Sequence, residues 1–255
     1  MRGAFAGSYS SSVFGTRLLV LSDAHVGATP PATEEALLAF LERAPALGDA
    51  LLLNGDIFDF WFAYRRVIPR RNFQVAAAIA RLRRRMPVAM VGGNHDRWGE
   101  DFWERDLDVR FAPFELELDI GGRRVLAVHG DGVTESHWSA VLMHRVTGSP
   151  ALVSMWKALP IGLAFWLVDR MTHSLGNTER DDAVLQAAAE RQRAWAEARL
   201  AAEPSLGCVV MGHTHRPLRS EAGPGRYYLN PGAWLDGFRY GVVTATGAEL
   251  ARWEG

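Results

Sequence analysis

The stretch ALLLNGDIFD, residues 50–59, contains both the strand and the turn that decide the fold. Four apolar residues are followed at once by Asn54 and Gly55, and then by the carboxylates of Asp56 and Asp59. A short apolar run that ends in turn residues is typical of a strand covered on both faces. The stretch therefore predicts a buried strand with acidic side chains at its carboxyl end.

Four other parts of the chain have the same organisation. Apolar runs at 17–21, 88–91, 125–128 and 208–211 each lead into a polar turn. The five turns, in chain order, are Asp23-Ala24-His25, Gly55-Asp56-Ile57-Phe58-Asp59, Gly93-Asn94-His95-Asp96, His129-Gly130-Asp131 and Gly212-His213-Thr214-His215. Helical segments at 34–42 and 73–85 separate the first three strands, which favours parallel strands joined by helical crossovers. Ligands bind at the carboxyl ends of such strands, so we expect the five turns to meet at one edge of a sheet.

The five turns carry carboxylate, amide and imidazole side chains but no thiolate. This mixture of oxygen and nitrogen ligands suits manganese first, with iron or zinc as alternatives. Five of the eight histidines lie within the turns, a concentration that separate structural histidines do not explain. Asp56 follows the central strand of the set, so it is the natural bridge between two ions about 3.5–4 Å apart. The turns therefore predict two divalent metal ions that bind a phosphoryl group.

All five turns, in this order, resemble the motifs of the calcineurin-like metallophosphoesterases, over nearly all of residues 16–254. The resemblance implies an α/β fold, a four-layer α-β-β-α sandwich of two mixed sheets. It implies one ion held by Asp23, His25, Asp56 and His215. It implies a second ion held by Asp56, Asn94, His129 and His213. His95 would then contact the phosphate and protonate the leaving group, with Asp96 orienting it.

Three carboxylates of the turns have two interpretations each. Asp59 and Asp96 either orient the metal ligands through hydrogen bonds, or they cap helices as turn carboxylates commonly do. Asp131 is a hydrogen-bonding partner of His129 or an ordinary turn residue.

Arginines follow directly on the Asp56–Asp59 turn. Arg65 and Arg66 are candidates to bind a second phosphate or an anionic head group at the rim of the metal site. The alternative is that they belong to a solvated surface.

Residues 136–177 interrupt the sheet pattern with an insertion rich in Trp and Leu. Its longest apolar run, 159–168, is far too short to span a bilayer. One interpretation is a helical pair that packs on the core. The interpretation we favour is a helical lid over the metal site, with Trp138 and Trp166 among its substrate-binding side chains.

The sequence segments 53–61 and 212–217, together with the apolar insertion, resemble those of the UDP-2,3-diacylglucosamine hydrolases. The resemblance implies hydrolysis of the substrate diphosphate to UMP and 2,3-diacylglucosamine 1-phosphate in lipid A biosynthesis. It also implies peripheral contact with the cytoplasmic face of the inner membrane, and it places Asn177 and Arg180 near the substrate. No nucleic acid or protein partner is indicated.

One residue departs from that narrower resemblance. The best-known members of the group carry Arg where this chain has His95. Two alternatives to the lipid-sugar substrate stay open. The first is a phosphodiesterase or phosphatase acting on a soluble nucleotide or another phospholipid. The second is a catalytically silent adaptor that binds metal and docks a partner on the insertion.

Length and composition favour a single domain. With 255 residues, 48% of them hydrophobic, the chain can bury a large core. We expect a loose tail at 1–15 and one domain at 16–255. The single Cys208 allows no internal disulfide and favours a reducing compartment. A hairpin at 114–128, a helix at 178–200 and late strands at 227–234 and 240–253 indicate a second, mixed sheet.

Overall fold

The structure is a computed structural model. It describes residues 13–64, 67–99, 101–134, 155–156, 159–164, 166–167, 170 and 182–255. Most of the predicted tail lies outside these residues. Its end is attached to the fold, because the N–H of Phe14 donates to the carbonyl of Asp119 and Gly15 accepts a hydrogen bond from Gly121.

Eleven strands among the described residues form two mixed sheets. The first sheet has the order β11-β10-β1-β2-β3-β4, with β1 to β4 parallel and β10 and β11 antiparallel. Its strands are β1 (Arg17–Leu21), β2 (Ala50–Asn54), β3 (Val88–Val91), β4 (Arg110–Ala112), β10 (Arg239–Thr244) and β11 (Ala248–Arg252). The second sheet has the order β5-β6-β7-β9-β8, with β6, β7 and β9 parallel. Its strands are β5 (Glu115–Ile120), β6 (Arg123–Val128), β7 (Leu206–Val210), β8 (Leu218–Glu221) and β9 (Tyr227–Asn230).

Helices cover the outer faces of both sheets. The described helices are α1 (Pro31–Leu47), α2 (Phe73–Arg83), a single turn α3 (Asp131–Thr134) and α4 (Asp182–Ala202), with a 3₁₀ turn at Arg70–Asn72 and a π turn at Phe102–Asp106. Pro31 stands at the first position of α1, where its missing N–H costs nothing. None of the described helices has the length and apolar character needed to cross a membrane.

Three apolar clusters of described residues hold these layers together. One lies between α1, α2 and the first sheet, and includes Leu19, Leu51 and Phe40. A second lies between the sheets, where alternate residues of the same strands, such as Leu52, point the other way. The third joins α4 to the second sheet. Helix, sheet, sheet and helix therefore form four layers, and the predicted sandwich is confirmed.

The late strands differ in one respect from the sequence-based expectation. The stretch at 240–253, which was expected in the second sheet, forms β10 and β11 with a turn between Thr244 and Gly247. Both strands extend the first sheet beside β1, and only β9 joins the second.

Only parts of the insertion at 136–177 belong to the described residues. Residues 155–156, 161–164, 166–167 and 170 are helical. Met155, Leu163 and Trp166 are exposed, whereas Ala164 is buried. The apolar character predicted for the insertion thus faces solvent at several described positions.

Candidate metal centre

All five polar turns lie at the carboxyl ends of strands, as predicted, but the strands belong to two sheets. β1, β2 and β3 supply the first three turns, and β6 and β7 supply the last two. The backbone joins the turns directly, because Gly212 donates its N–H to the His129 carbonyl at 2.9 Å and Asp23 donates to Gly55 at 3.1 Å. The site is therefore built where the ends of two packed sheets meet.

Within the described part of the chain, three groups of side chains bring potential ligand atoms within 4.8 Å of one another. The groups are Asp23, His25 and His215; His25, Asp56 and His95; and Asp56, His129 and His213. Asp56 and His25 each belong to two groups, so the three groups form one continuous cluster.

The backbone of this cluster is locally strained. Non-glycine residues with a left-handed backbone at the site are Asp23, His25, Asp56, His213 and His215, with φ between 46° and 68°. Such a conformation costs about 1–3 kcal/mol for each residue and persists only where the surroundings enforce it. Two glycines provide the room, because a Cβ on Gly55 would collide with the His129 ring and one on Gly93 with the Asp56 carboxylate.

Asp56 lies at the centre of the cluster. Its Oδ1 accepts the backbone N–H of His95 at 2.9 Å. Its Oδ2 lies 3.2 Å from Nε2 of His129 and 4.0 Å from Nε2 of His25. Although burial alone would raise the pKa of Asp56, the neighbouring histidines hold it well below the usual value. An ionised carboxylate with one oxygen between two imidazoles has the arrangement that a bridge between two ions requires.

The hydrogen bonds of His129 show that the cluster fits cations. Its Nδ1 donates to the carbonyl of Asn54 at 2.9 Å, so in the neutral ring Nε2 carries a lone pair. That lone pair faces the Asp56 carboxylate, and the buried Nε2 has no hydrogen-bond partner among the residues that the structure describes. Burial lowers the pKa of His129, but the charge of Asp56 outweighs it and raises the pKa to about 10. The site between Nε2 and the Asp56 carboxylate therefore favours a positive charge, which is a proton when no metal is bound and which a divalent ion would replace. Asn94 Oδ1 is a further buried acceptor that has no hydrogen-bond partner among the described residues.

Asp23 and His215 form the other end of the cluster. Asp23 is fully buried and accepts the N–H of His213 at 3.0 Å and the hydroxyl of Ser22. His215 Nε2 lies 3.5 Å from Asp23 Oδ1, and its Nδ1 lies 3.5 Å from Asp236 Oδ2. Burial opposes protonation of His215, but these two carboxylates raise its pKa to about 9.

Asp236 was not anticipated from the sequence. It occupies the turn Leu235-Asp236-Gly237, which carries no signal beyond that of an ordinary turn. A carboxylate on the far nitrogen of a histidine fixes the tautomer and leaves the other nitrogen free for a metal.

His95 is held by Asp59. Its Nδ1 lies 2.6 Å from the Asp59 carbonyl and 3.8 Å from Asp59 Oδ1. Burial lowers the pKa of His95, but the charge of Asp56 and the Asp59 carbonyl outweigh that effect and raise it. The ring is therefore oriented and biased toward the protonated form that a proton donor needs.

Asp96 has a different position from the one expected. Its carboxylate accepts the backbone N–H groups of Gly93 at 2.8 Å, Ile57 at 2.7 Å, Asp56 at 3.2 Å and Phe58 at 3.3 Å. Burial and the Asp56 charge raise its pKa to about 6. Asp96 shapes the turn that carries Asp56, and the orienting contact with the His95 ring comes from Asp59.

Asp131 also has another partner. It forms a buried ion pair with Arg97, whose Nε donates to the Gly93 carbonyl at 2.9 Å. Asp131 thus ties the fourth turn to the third, while Nδ1 of His129 is bonded to Asn54. Its charge still contributes to the raised pKa of His129.

The predicted substrate contacts are placed only in part. Trp166 is on a described helical segment and is exposed. Arg65, Arg66, Trp138, Asn177 and Arg180 lie outside the described residues.

Comparison with known proteins identifies the family of this chain. The family model of the calcineurin-like phosphoesterases matches residues 16–217. A UDP-2,3-diacylglucosamine hydrolase of Porphyromonas gingivalis is 26% identical over 251 residues, 91% of this chain and 95% of the relative. One of Escherichia coli is 27% identical over 245 residues, 91% of this chain and 97% of the relative. A dimetal phosphatase from Danio rerio has a TM-score of 0.47 at 14% identity, covering 94% of this chain and 99% of that one.

The family model covers most of the chain, including all five polar turns. The chain belongs to the calcineurin-like phosphoesterase family, and it is a metal-dependent hydrolase of phosphoesters.

Proposed function

We propose that this enzyme hydrolyses the diphosphate of UDP-2,3-diacylglucosamine, releasing UMP and 2,3-diacylglucosamine 1-phosphate in lipid A biosynthesis. The observation that carries the proposal is the match over 91% of the chain to relatives named for that hydrolysis. The ligand cluster supports it, because cleavage of a diphosphate requires neutralisation of several phosphate charges at one place.

The proposed ligands follow from the cluster. Asp23, His25, Asp56 and His215 would hold one divalent ion. Asp56, Asn94, His129 and His213 would hold the other. Manganese is the first choice for this oxygen and nitrogen set, with iron or zinc as alternatives. Two such ions, when bound, supply neutralisation of the phosphate oxygens and a lowered pKa for the attacking water.

The remaining polar groups position the proposed ligands and protonate the leaving group. Asp59 holds the His95 ring through Nδ1, so that Nε2 is available to donate a proton to the departing oxygen. Asp96 and its four backbone partners hold the Asp56 turn in its strained conformation. Asp236 keeps His215 in the tautomer that presents Nε2.

The insertion is proposed as the lid that covers the acyl chains. Met155, Leu163 and Trp166 are exposed apolar side chains of the insertion that a lid would present to the acyl chains. The same side chains would support peripheral contact with the cytoplasmic face of the inner membrane.

A second candidate is hydrolysis of a phosphodiester of a soluble nucleotide. His95 favours it, because an imidazole biased toward protonation assists an alkoxide or phenolate leaving group, whereas arginine can only stabilise charge. A departing phosphate, with a pKa of about 6, needs much less assistance.

The test is release of UMP from UDP-2,3-diacylglucosamine by the purified full chain with Mn²⁺, in detergent micelles. Asp56→Asn serves as the control that removes the central carboxylate. We expect Mn²⁺-dependent UMP release by the wild-type protein and none above background from the variant. Absence of UMP release, together with turnover of a chromogenic diester, would reject the lipid substrate and favour the second candidate.

A further inference from the structure

A buried glutamine lies behind the fifth turn. Gln192 is on α4, the helix that follows the insertion, and its side chain is fully buried. Its amide nitrogen donates to the Gly212 carbonyl at 3.0 Å. Its Oε1 accepts from the hydroxyls of Thr214 at 3.3 Å and Tyr228 at 3.2 Å. A buried amide is costly unless it is paired, and here both its nitrogen and its oxygen have partners.

Asn230 completes the network. Its Nδ2 donates to Gln192 Oε1 at 3.2 Å, to the Gly212 carbonyl at 3.0 Å and to Thr214 Oγ1 at 3.1 Å. Its Oδ1 accepts the N–H of Gly232 at 2.9 Å, so the asparagine is itself fixed. Both amides therefore hold the same two residues of the fifth turn.

The contacts of that turn alternate. Gly212 and Thr214 bond to the amide network, while His213 and His215 belong to the ligand groups. Both histidines have left-handed backbones, with φ of 68° and 56°. Such a backbone relaxes unless neighbouring contacts enforce it, and the network bonds the residues before and between the two histidines.

Gln192 also contacts the fourth turn. A Cβ on Gly130 would collide with the Gln192 amide, so Gly130 leaves the space that this side chain fills. Gly130 follows His129, and the backbone of Gly212 bonds to His129 at 2.9 Å. One glutamine thus touches both turns that the second sheet contributes to the cluster.

Packing alone does not explain a glutamine at this position. The other buried residues of the helix include Ala188, Ala189, Ala196 and Leu200, so its inward face is otherwise apolar. Hydrogen bonding to the turn is what distinguishes Gln192 from them.

We propose that Gln192 is a positioning residue for the metal ligands: it fixes the Gly212–His215 turn so that His213 and His215 present their rings to the ions. This inference rests on the metal centre of the proposed function. It assigns the residue a role through the histidines and not through contact with substrate.

The test is Mn²⁺ binding to the metal-free full chain, followed by calorimetry well below the melting temperature. Gln192→Met keeps the length of the side chain and removes the amide. Gln186→Met makes the same chemical change on the exposed side of the same helix, where Gln186 bonds to Glu190. Removal of a residue that orients metal ligands weakens metal binding about 10–100-fold. We therefore expect Gln192→Met to bind Mn²⁺ about 10–100-fold more weakly than the wild-type protein, and Gln186→Met to bind it with wild-type affinity.

Wild-type Mn²⁺ affinity in folded Gln192→Met, even with a lowered melting temperature, would overturn the proposal and assign the residue a purely structural role. If Gln192→Met does not fold, Tyr228→Phe removes one donor to Oε1, and we expect about threefold weaker binding; unchanged affinity there would also overturn it. A wild-type chain that binds no Mn²⁺ would reject the metal centre itself, and the proposed function with it.

Discussion

Replacement of His95 separates proton donation from charge stabilisation. His95→Gln removes the proton donor, whereas His95→Arg keeps a positive charge but cannot donate a proton. In the wild-type protein, Nδ1 is bonded to the Asp59 carbonyl at 2.6 Å, so only Nε2 can serve the substrate. We therefore expect the effect of each variant to depend on how strongly the leaving group requires protonation.

The magnitude follows from the leaving group. Positioned general acids contribute about 10²–10⁴-fold, or about 2.7–5.4 kcal/mol, when the departing oxygen is basic. A phenyl ester of UMP releases a phenolate with a pKa of about 10, whereas a UDP-sugar releases a phosphate with a pKa of about 6. On the phenyl ester we expect kcat/KM to fall at least about 100-fold in both variants. On UDP-2,3-diacylglucosamine we expect His95→Arg to stay within about tenfold of wild type.

The assay measures UMP release from both substrates, so product detection is identical and only the leaving group differs. An equal loss on the two substrates in His95→Arg would refute the assignment of His95 as a proton donor.

Three further predictions concern other parts of the molecule. Asp236→Asn weakens the interaction with Nδ1 of His215 and should reduce Mn²⁺ affinity, measured by calorimetry, about tenfold. The control Glu249→Gln on β11 should leave the affinity unchanged. If Asp236→Asn binds Mn²⁺ as tightly as the wild-type protein, Asp236 has no role in the site. Removal of metal by EDTA should lower the melting temperature by about 5–10 °C, since ions at 100 times Kd contribute about 2.7 kcal/mol; an unchanged melting curve would contradict metal binding to the native state. Burial raises the pKa of the Cys208 thiol to about 12, so iodoacetamide should label it only after unfolding, and rapid labelling of the native protein would contradict its position in the core between the sheets.

The sequence predicted the parts of the fold that local patterns encode. Each apolar run that ends in a polar turn is a strand. Consecutive residues encode both the burial of the strand on its two faces and the position where the strand ends. β4 and β8 were not predicted, since Arg110–Ala112 is short and half-buried and Leu218–Glu221 lies at the edge of its sheet. The assignment of β10 and β11 to the first sheet depends on pairing with β1, more than 200 residues away, and no local pattern specifies it.

The site shows the same division. Candidate ligand residues such as Asp56 and His129 lie inside motifs and could be predicted from the sequence. Asp236 and Gln192 act through contacts made only after the sheets and α4 have packed, so nothing in their own neighbourhoods marks them. Asp59 and Asp96 were both named, but which of them contacts the His95 ring depends on how the second and third turns meet.

The central claim is that Asp56 bridges two divalent ions. It is tested most directly by anomalous diffraction at the manganese edge from crystals of the full chain soaked in Mn²⁺. We predict two peaks about 3.5–4 Å apart that flank Asp56 Oδ2, one near His25 and His215 and the other near His129 and His213. A single peak, or two peaks that do not share Asp56, would contradict the account.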